Sequence, residues 1–128
     1  MAGIVTEGQV PVVDTALERS GCIGPSTAWQ PAYLTASDDL GIAGAMLLYI
    51  KYDSRGEFVF DWSWADAYER AGRSYYPKLV AAVPFTPATG PRLLLRDGAD
   101  PAIRVALLES ARSCPARVRL CVHDETVA

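Results

Sequence analysis

The stretch Ala32-Tyr33-Leu34-Thr35-Ala36-Ser37-Asp38-Asp39-Leu40-Gly41-Ile42-Ala43-Gly44-Ala45-Met46-Leu47-Leu48-Tyr49-Ile50-Lys51-Tyr52 decides the fold. Its first part alternates Ala32, Leu34 and Ala36 against Tyr33, Thr35 and Ser37, the two-residue period of a half-buried strand. Asp38-Asp39-Leu40-Gly41 is turn chemistry. Ile42 to Tyr52 is apolar on both alternating faces, which places it centrally in a sheet. Working outward, the first strand starts at Trp29. After the turn Asp53-Ser54-Arg55-Gly56, Glu57 to Trp62 alternates Phe58, Phe60 and Trp62 against Val59 and Asp61. The expectation is a three-stranded antiparallel meander over 29–62.

On either side the pattern changes to helical. Asp14 to Ser20 reads as a short helix with Asp14 as N-cap and Gly21 as its stop. Cys22-Ile23-Gly24-Pro25-Ser26-Thr27 is a loop. After the meander, Ser63-Trp64-Ala65-Asp66 has the form of a capping box, and Gly72 closes that helix. Lys78 to Val83 is an apolar strand. Three prolines in Pro84-Phe85-Thr86-Pro87-Ala88-Thr89-Gly90-Pro91 interrupt any ladder, and Arg92 to Leu95 resumes an extended run. Asp100 caps a long helix with Pro101 at its first position and Ile103, Leu107 and Ala111 on one face. Pro115 ends it. Arg117 to Val122 is an amphipathic strand, so the order is αβββαβαβ.

Half of the 128 residues are hydrophobic and 21% are charged, with a net charge of −3. That composition fits one compact domain over residues 1–128 rather than a disordered chain. The acidic balance argues against a duplex nucleic-acid binder, which needs clustered Lys and Arg. The longest apolar run, Gly41 to Ile50, is half of what a membrane helix needs. MAGIVTEGQV lacks the features of a signal peptide. Cys22, Cys114 and Cys121 form no CxxC pair and read as buried thiols in a reducing compartment, so a cytoplasmic location is expected. The single histidine, His123, would have to serve any zinc site or Ser-His-Asp triad alone, and it reads as a solvated residue past a strand. No metal site is expected.

Three clusters could carry chemistry. Asp61-Trp62-Ser63-Trp64-Ala65-Asp66-Ala67-Tyr68-Glu69-Arg70 sets aromatic and acidic side chains at a strand-to-helix junction. Its bland reading is core aromatics with a charged helix surface, on which Asp66 and Arg70 pair four apart. Its functional reading is a cleft wall where Asp61 or Asp66 acts as a base or holds an amine. In Tyr75-Tyr76-Pro77-Lys78 the lysine either snorkels to solvent or steadies an anionic group. Pro84 to Arg92 is a rigid loop after a buried strand, a common lining of ligand sites.

These clusters, with Gly21-Cys22-Ile23-Gly24-Pro25 and the run Gly44 to Lys51, resemble bacterial FemAB-like proteins over about Ser20 to Val122. The strings DWSWADAYER and PFTPATGPR carry most of that resemblance. Such proteins are grouped with GNAT-superfamily N-acetyltransferases or with presumed peptidoglycan-biosynthesis proteins. The resemblance implies an α+β, GNAT-like fold with an antiparallel or mixed sheet flanked by helices, here the N-terminal portion of a longer architecture. It also implies acyl or aminoacyl transfer to an amine, from acetyl-CoA, another thioester or an aminoacyl-tRNA. The Q/R-x-x-G-x-G/A loop of acetyl-CoA-binding relatives is missing. Arg96-Asp97-Gly98-Ala99-Asp100 stands in its place with two acidic residues, unsuitable beside a pyrophosphate.

The expected site therefore has Asp61 and Asp66 in catalytic roles. Trp62, Trp64, Tyr68, Tyr76, Lys78, Phe85, Thr86, Thr89 and Arg92 are expected around a small-molecule or peptide amine acceptor. No donor is expected to bind tightly to this chain alone, and self-association through the C-terminal edge strand is expected. The rival readings are a binding module without chemistry and a non-functional fragment.

Overall fold

The computed structural model describes residues 2–4, 12–57, 61–85, 92–113 and 120–122. The elements are β1 (Ala2–Ile4), α1 (Val12–Arg19), β2 (Gln30–Pro31), β3 (Leu34–Asp38), β4 (Gly41–Met46), β5 (Tyr49–Lys51), α2 (Trp62–Arg70), β6 (Lys78–Ala81), β7 (Leu93–Leu95), α3 (Ala102–Arg112) and β8 (Leu120–Val122). The architecture is α+β, with two four-stranded sheets ordered β1-β3-β4-β7 and β2-β5-β6-β8. All described pairings are antiparallel except β6 with β8.

The decisive stretch forms one long hairpin that serves both sheets. Gln30 pairs with Ile50 and Pro31 with Tyr49, and the same register continues from Leu34 opposite Met46 to Ala36 opposite Gly44. Ala32 N–H donates to Leu48 O at 2.8 Å across the bend between the sheets. A bulge between Ala36 and Ser37 then shifts the register by one before the turn. The two strands read from 29–37 and 42–52 are therefore present, but each divides into two short strands at the bend.

The third strand of the expected meander is corrected. The Asp61 carbonyl accepts from the N–H groups of Trp64 and Ala65, which starts α2 and makes Trp62 its first residue. The strand beside β5 is β6, not Glu57–Trp62; Phe58 to Phe60 lie outside the described residues. β6 and β7 follow one another along the hairpin, β6 opposite β5 and β7 opposite β4. The chain between them leaves the sheet at the bend, where Leu47 N–H meets Arg92 O at 3.4 Å. Residues 82–85 and Arg92 thus flank a fork between the two sheets, and 86–91 lie outside the described residues.

Both faces of the hairpin are covered, as its two-sided apolar pattern requires. On one face Met46, Leu48, Leu79 and Ala81 pack with Ala111 and Leu108 of α3. At the other end of α3, Leu107 and Ile103 close over Ala36, Leu93 and Leu95. A side chain on Gly44 would come within 2.9 Å of Ile103 Cγ2 and Leu95 Cδ2, so the glycine sets how closely α3 approaches β4. On the opposite face Ile23, Trp29, Tyr33, Leu47, Tyr49, Val80 and Ala82 form a second core, with Leu17 of α1 against it.

The helix ends follow local chemistry. Gly21 and Gly72 take left-handed φ values of 76° and 69°. At each, two reversed hydrogen bonds close the last turn: Gly21 N to Glu18 O and Cys22 N to Leu17 O in α1, Gly72 N to Glu69 O and Arg73 N to Tyr68 O in α2. This is the glycine-dependent stop read from the sequence. Asp100 Oδ1 accepts from Ala102 N at 2.9 Å as expected, but α3 begins at Ala102 with Pro101 at the N-cap position, one residue later than read from the sequence. Two other starts differ. α1 begins at Val12, leaving Asp14 inside the helix rather than at its cap, and α2 begins before Ser63, so no capping box forms.

Candidate functional site

Alternation along β5 places Lys51 on the same face as Leu47 and Tyr49, and alternation along β6 places Lys78 with Val80. The two lysines are direct partners across the β5–β6 ladder, and neither is exposed. Like charges directly opposite each other are destabilising unless something lies between them. Glu57 does: its Oε1 is 2.8 Å from Lys78 Nζ and its Oε2 3.5 Å from Lys51 Nζ.

Lys78 also donates to Asp61 Oδ2 and, at 3.0 Å, to Ser54 Oγ. Asp61 accepts from Ser54 through Oδ1 and from Tyr75 OH through Oδ2 at 2.6 Å. Tyr76 OH is 2.6 Å from Ser54 Oγ. Lys51 stands 4.0 Å above the centre of the Trp29 ring and donates to Arg55 O. Two cations and two anions thus neutralise one another inside the fold, the arrangement that makes burial of charge tolerable.

The two lysines respond in opposite directions. Burial pushes both ammonium groups down. At Lys78 the hydrogen bonds to Asp61 and Glu57, with their charges, outweigh burial and hold the group above the ordinary lysine value. At Lys51 the charges of Glu57 and Asp53 do not outweigh it, and the group lies below that value. For Asp61 burial alone would raise the carboxyl, but hydrogen bonds from Lys78, Ser54 and Tyr75 bring it below the usual carboxylate range. Asp61 is therefore ionised at neutral pH and firmly held. A carboxylate so stabilised is a weak proton acceptor and a good fixed anion.

Asp61 occupies the N-cap position of α2 but makes no side-chain cap. Its carboxylate is turned into the network instead, forgoing an interaction worth about 1 kcal/mol. Its side chain is 12% exposed, whereas those of Lys78 and Glu57 are fully enclosed, so Asp61 is the open edge of the cluster.

Of the residues expected at a site, the structure gathers Asp61, Tyr76 and Lys78, and reaches Tyr68 through its ring contact with Tyr75 at 5.4 Å. Trp62 and Trp64 stand exposed on α2. Asp66 pairs with Arg70 on the helix surface, as the i,i+4 spacing predicts. Phe85, with a left-handed φ of 62°, lies against Trp29 at 5.7 Å and donates its N–H to Gly56 O. Arg92 is buried beside the fork. Thr86, Thr89 and His123 lie outside the described residues, as do Cys114 and the side chain of Cys121. Cys22 is exposed, which corrects its expected burial. β8 is an outer strand of its sheet.

Lys51, Ser54, Glu57 and Trp29 were not singled out from the sequence. The available signal was a lysine at the inward phase of a strand buried on both faces. Its meaning depends on the partner strand, which lies 27 residues away in the Lys51–Lys78 pair.

The acidic loop before α3 does not fit a donor pyrophosphate. Asp100 already occupies the helix N-terminus, and Arg96 is engaged by Asp38 and by the Ile42 carbonyl. Among the described residues, no group of three or more His, Cys, Asp or Glu side chains could hold a metal ion, and no helix is long and apolar enough to cross a membrane.

No curated protein and no solved structure matches the chain. The profile of one family, described as peptidoglycan biosynthesis/recognition, matches residues 14–123, a span that includes the hairpin, the charged network and the fork. The chain belongs to the FemAB-like family.

Proposed function

We propose that this chain recognises the amine-bearing peptide of a peptidoglycan precursor and serves acyl or aminoacyl transfer to that amine. The observation that carries this reading is Asp61, an ionised carboxylate fixed at the open edge of a buried network, with the exposed rings of Trp62 and Trp64 next to it in sequence. A fixed carboxylate suits an ammonium group through charge, and an exposed aromatic ring suits one through its quadrupole. The acyl-transfer part rests on the family's description as peptidoglycan biosynthesis/recognition. A GNAT-like architecture belongs to the same proposal.

The network favours recognition over proton abstraction in these residues. Lys78 is held protonated, and three donors stabilise the Asp61 charge while Oδ1, with one donor, can still accept, so neither is tuned to move a proton at neutral pH. The misfit of the α3 loop to a pyrophosphate points the same way. A binding role without turnover by this chain alone is the second reading, and these features favour it.

Calorimetry with a peptidoglycan stem peptide carrying a free side-chain amine tests the proposal. Binding is expected, with loss of at least tenfold in affinity when that amine is acetylated. Equal binding of the two peptides, or of neither, would overturn it. Mass spectrometry of the free-amine peptide after incubation with acetyl-CoA separates an enzyme from a binding module, and no acetylated product is expected.

A further inference from the structure

A concavity lies away from the charged network, at the C-terminal end of α1. It encloses about 380 Å³ and is lined by Glu18, Arg19, Ile23, Gly24, Pro25, Pro31 and Tyr33. That volume is at the small end of ligand sites. Its shape is set by rigid parts. Pro25 and Pro31 fix their own backbone, and Thr27 Oγ1 ties the loop together by donating to Gly24 O and Trp29 O at 3.0 and 2.8 Å.

Two side chains of opposite charge, Glu18 and Arg19, line it. The buried Tyr33 donates its OH to Glu18 Oε1 at 2.7 Å, which fixes the carboxylate and leaves Oε2 able to accept. Arg19, the next residue, makes no ion pair among the described residues. Between them, Ile23, Pro25 and Pro31 supply an apolar wall.

We infer that this pocket binds a small aliphatic α-amino acid as a zwitterion. Glu18 takes the ammonium, Arg19 the carboxylate, and the side chain lies on Ile23, Pro25 and Pro31. A carboxylate oriented by Tyr33 and a guanidinium with no ion pair among the described residues line the same concavity and match the two opposite charges of an amino acid, and an apolar wall selects an aliphatic side chain. The inference does not depend on Asp61 or on the acceptor reading, since the two sites share no residue.

Titration of the intact chain with leucine, followed by amide NMR shifts, tests it. Binding is expected to perturb Ile23, Gly24 and Tyr33. Leucine amide, which lacks the carboxylate, and N-acetyl-leucine, which lacks the ammonium, should each bind at least tenfold more weakly. Arg19→Ala should weaken leucine without changing its preference over N-acetyl-leucine, and Glu18→Gln should abolish that preference. Both residues are outside the apolar core, and an unchanged melting temperature verifies the fold of each variant. The idea fails if leucine amide and leucine bind alike, if the perturbed amides lie elsewhere, or if no binding occurs at millimolar leucine.

Discussion

The two ends of the long hairpin are built from the same alternating backbone but filled by opposite chemistry. At the β3–β4 end, α3 seals the sheet with Leu107, Ile103 and Leu108, and the interior there is aliphatic. At the β2–β5 end, the face that carries Trp29 and Tyr49 continues into Lys51, Lys78, Glu57 and Asp61. The aliphatic end is stabilised by removing apolar surface from water, with no need for directional contacts. The charged end must satisfy every donor and acceptor to break even, so its geometry is narrowly specified and its failure is abrupt. A cluster that adds little net stability and demands much specificity has the character of a functional feature.

That contrast can be broken directly. Lys78→Ala leaves Glu57 and Asp61 buried without their shared cation, and should cost about 3–5 kcal/mol, read as a fall in the urea midpoint. A loss below 1 kcal/mol would show that the network is more hydrated than its enclosure indicates. Leu107→Ala, at the aliphatic end, should cost about 2–4 kcal/mol through lost burial and a residual cavity. The difference in kind should appear on restoring bulk: Leu107→Met should recover most of that loss, whereas Lys78→Met should not, because it supplies no charge.

The pH dependence of stability sharpens the comparison, since it reports mainly on the charged end. At the other end Asp38, beside the Arg96 guanidinium, is also held below the usual carboxylate range, but on the surface. Asp61 has a folded pKa below its unfolded value of about 3.9. Its contribution is therefore present above pH 4 and is lost as pH falls through the folded value. Lys78, raised when folded, contributes fully below about pH 10 and loses that contribution as pH rises through its folded value. Lys51, lowered when folded, behaves oppositely: its contribution grows with pH between its folded value and the ordinary lysine value. Thermal melting across pH should show an acid loss that shrinks in Asp61→Asn, leaving the smaller part that Asp38 contributes. A variant with an unchanged acid limb would remove Asp61 from the account.

The smallest effect is expected at Asp66. Its partner Arg70 shares an exposed helix face, where such pairs contribute about 0.3–0.5 kcal/mol. Asp66→Asn should shift the melting temperature by no more than a degree or two and leave peptide binding unchanged. Loss of peptide binding at constant stability would instead place Asp66 in the site with Asp61.

Much of this was legible in the chain itself. The period-two pattern of 32–37 and the two-sided apolarity of 42–52 determined the hairpin, because side-chain alternation is a local property of extended backbone. Gly21 and Gly72 determined where two helices stop, because a left-handed residue is a local requirement that glycine meets without strain. Asp100 determined the start of α3 to within one residue, for the same kind of reason. The tertiary structure decided what lay beyond one element's reach. It bent the hairpin so that each strand serves two sheets, gave β6 rather than 57–62 the place beside β5, and withdrew Asp61 from capping α2 to meet Lys78. None of these is visible locally, since the energy of a buried charge depends on which opposite charge the rest of the fold brings to it. The same lysine that would lie in solvent on an edge strand becomes, opposite Lys51 and beside Glu57, the centre of the buried charged network.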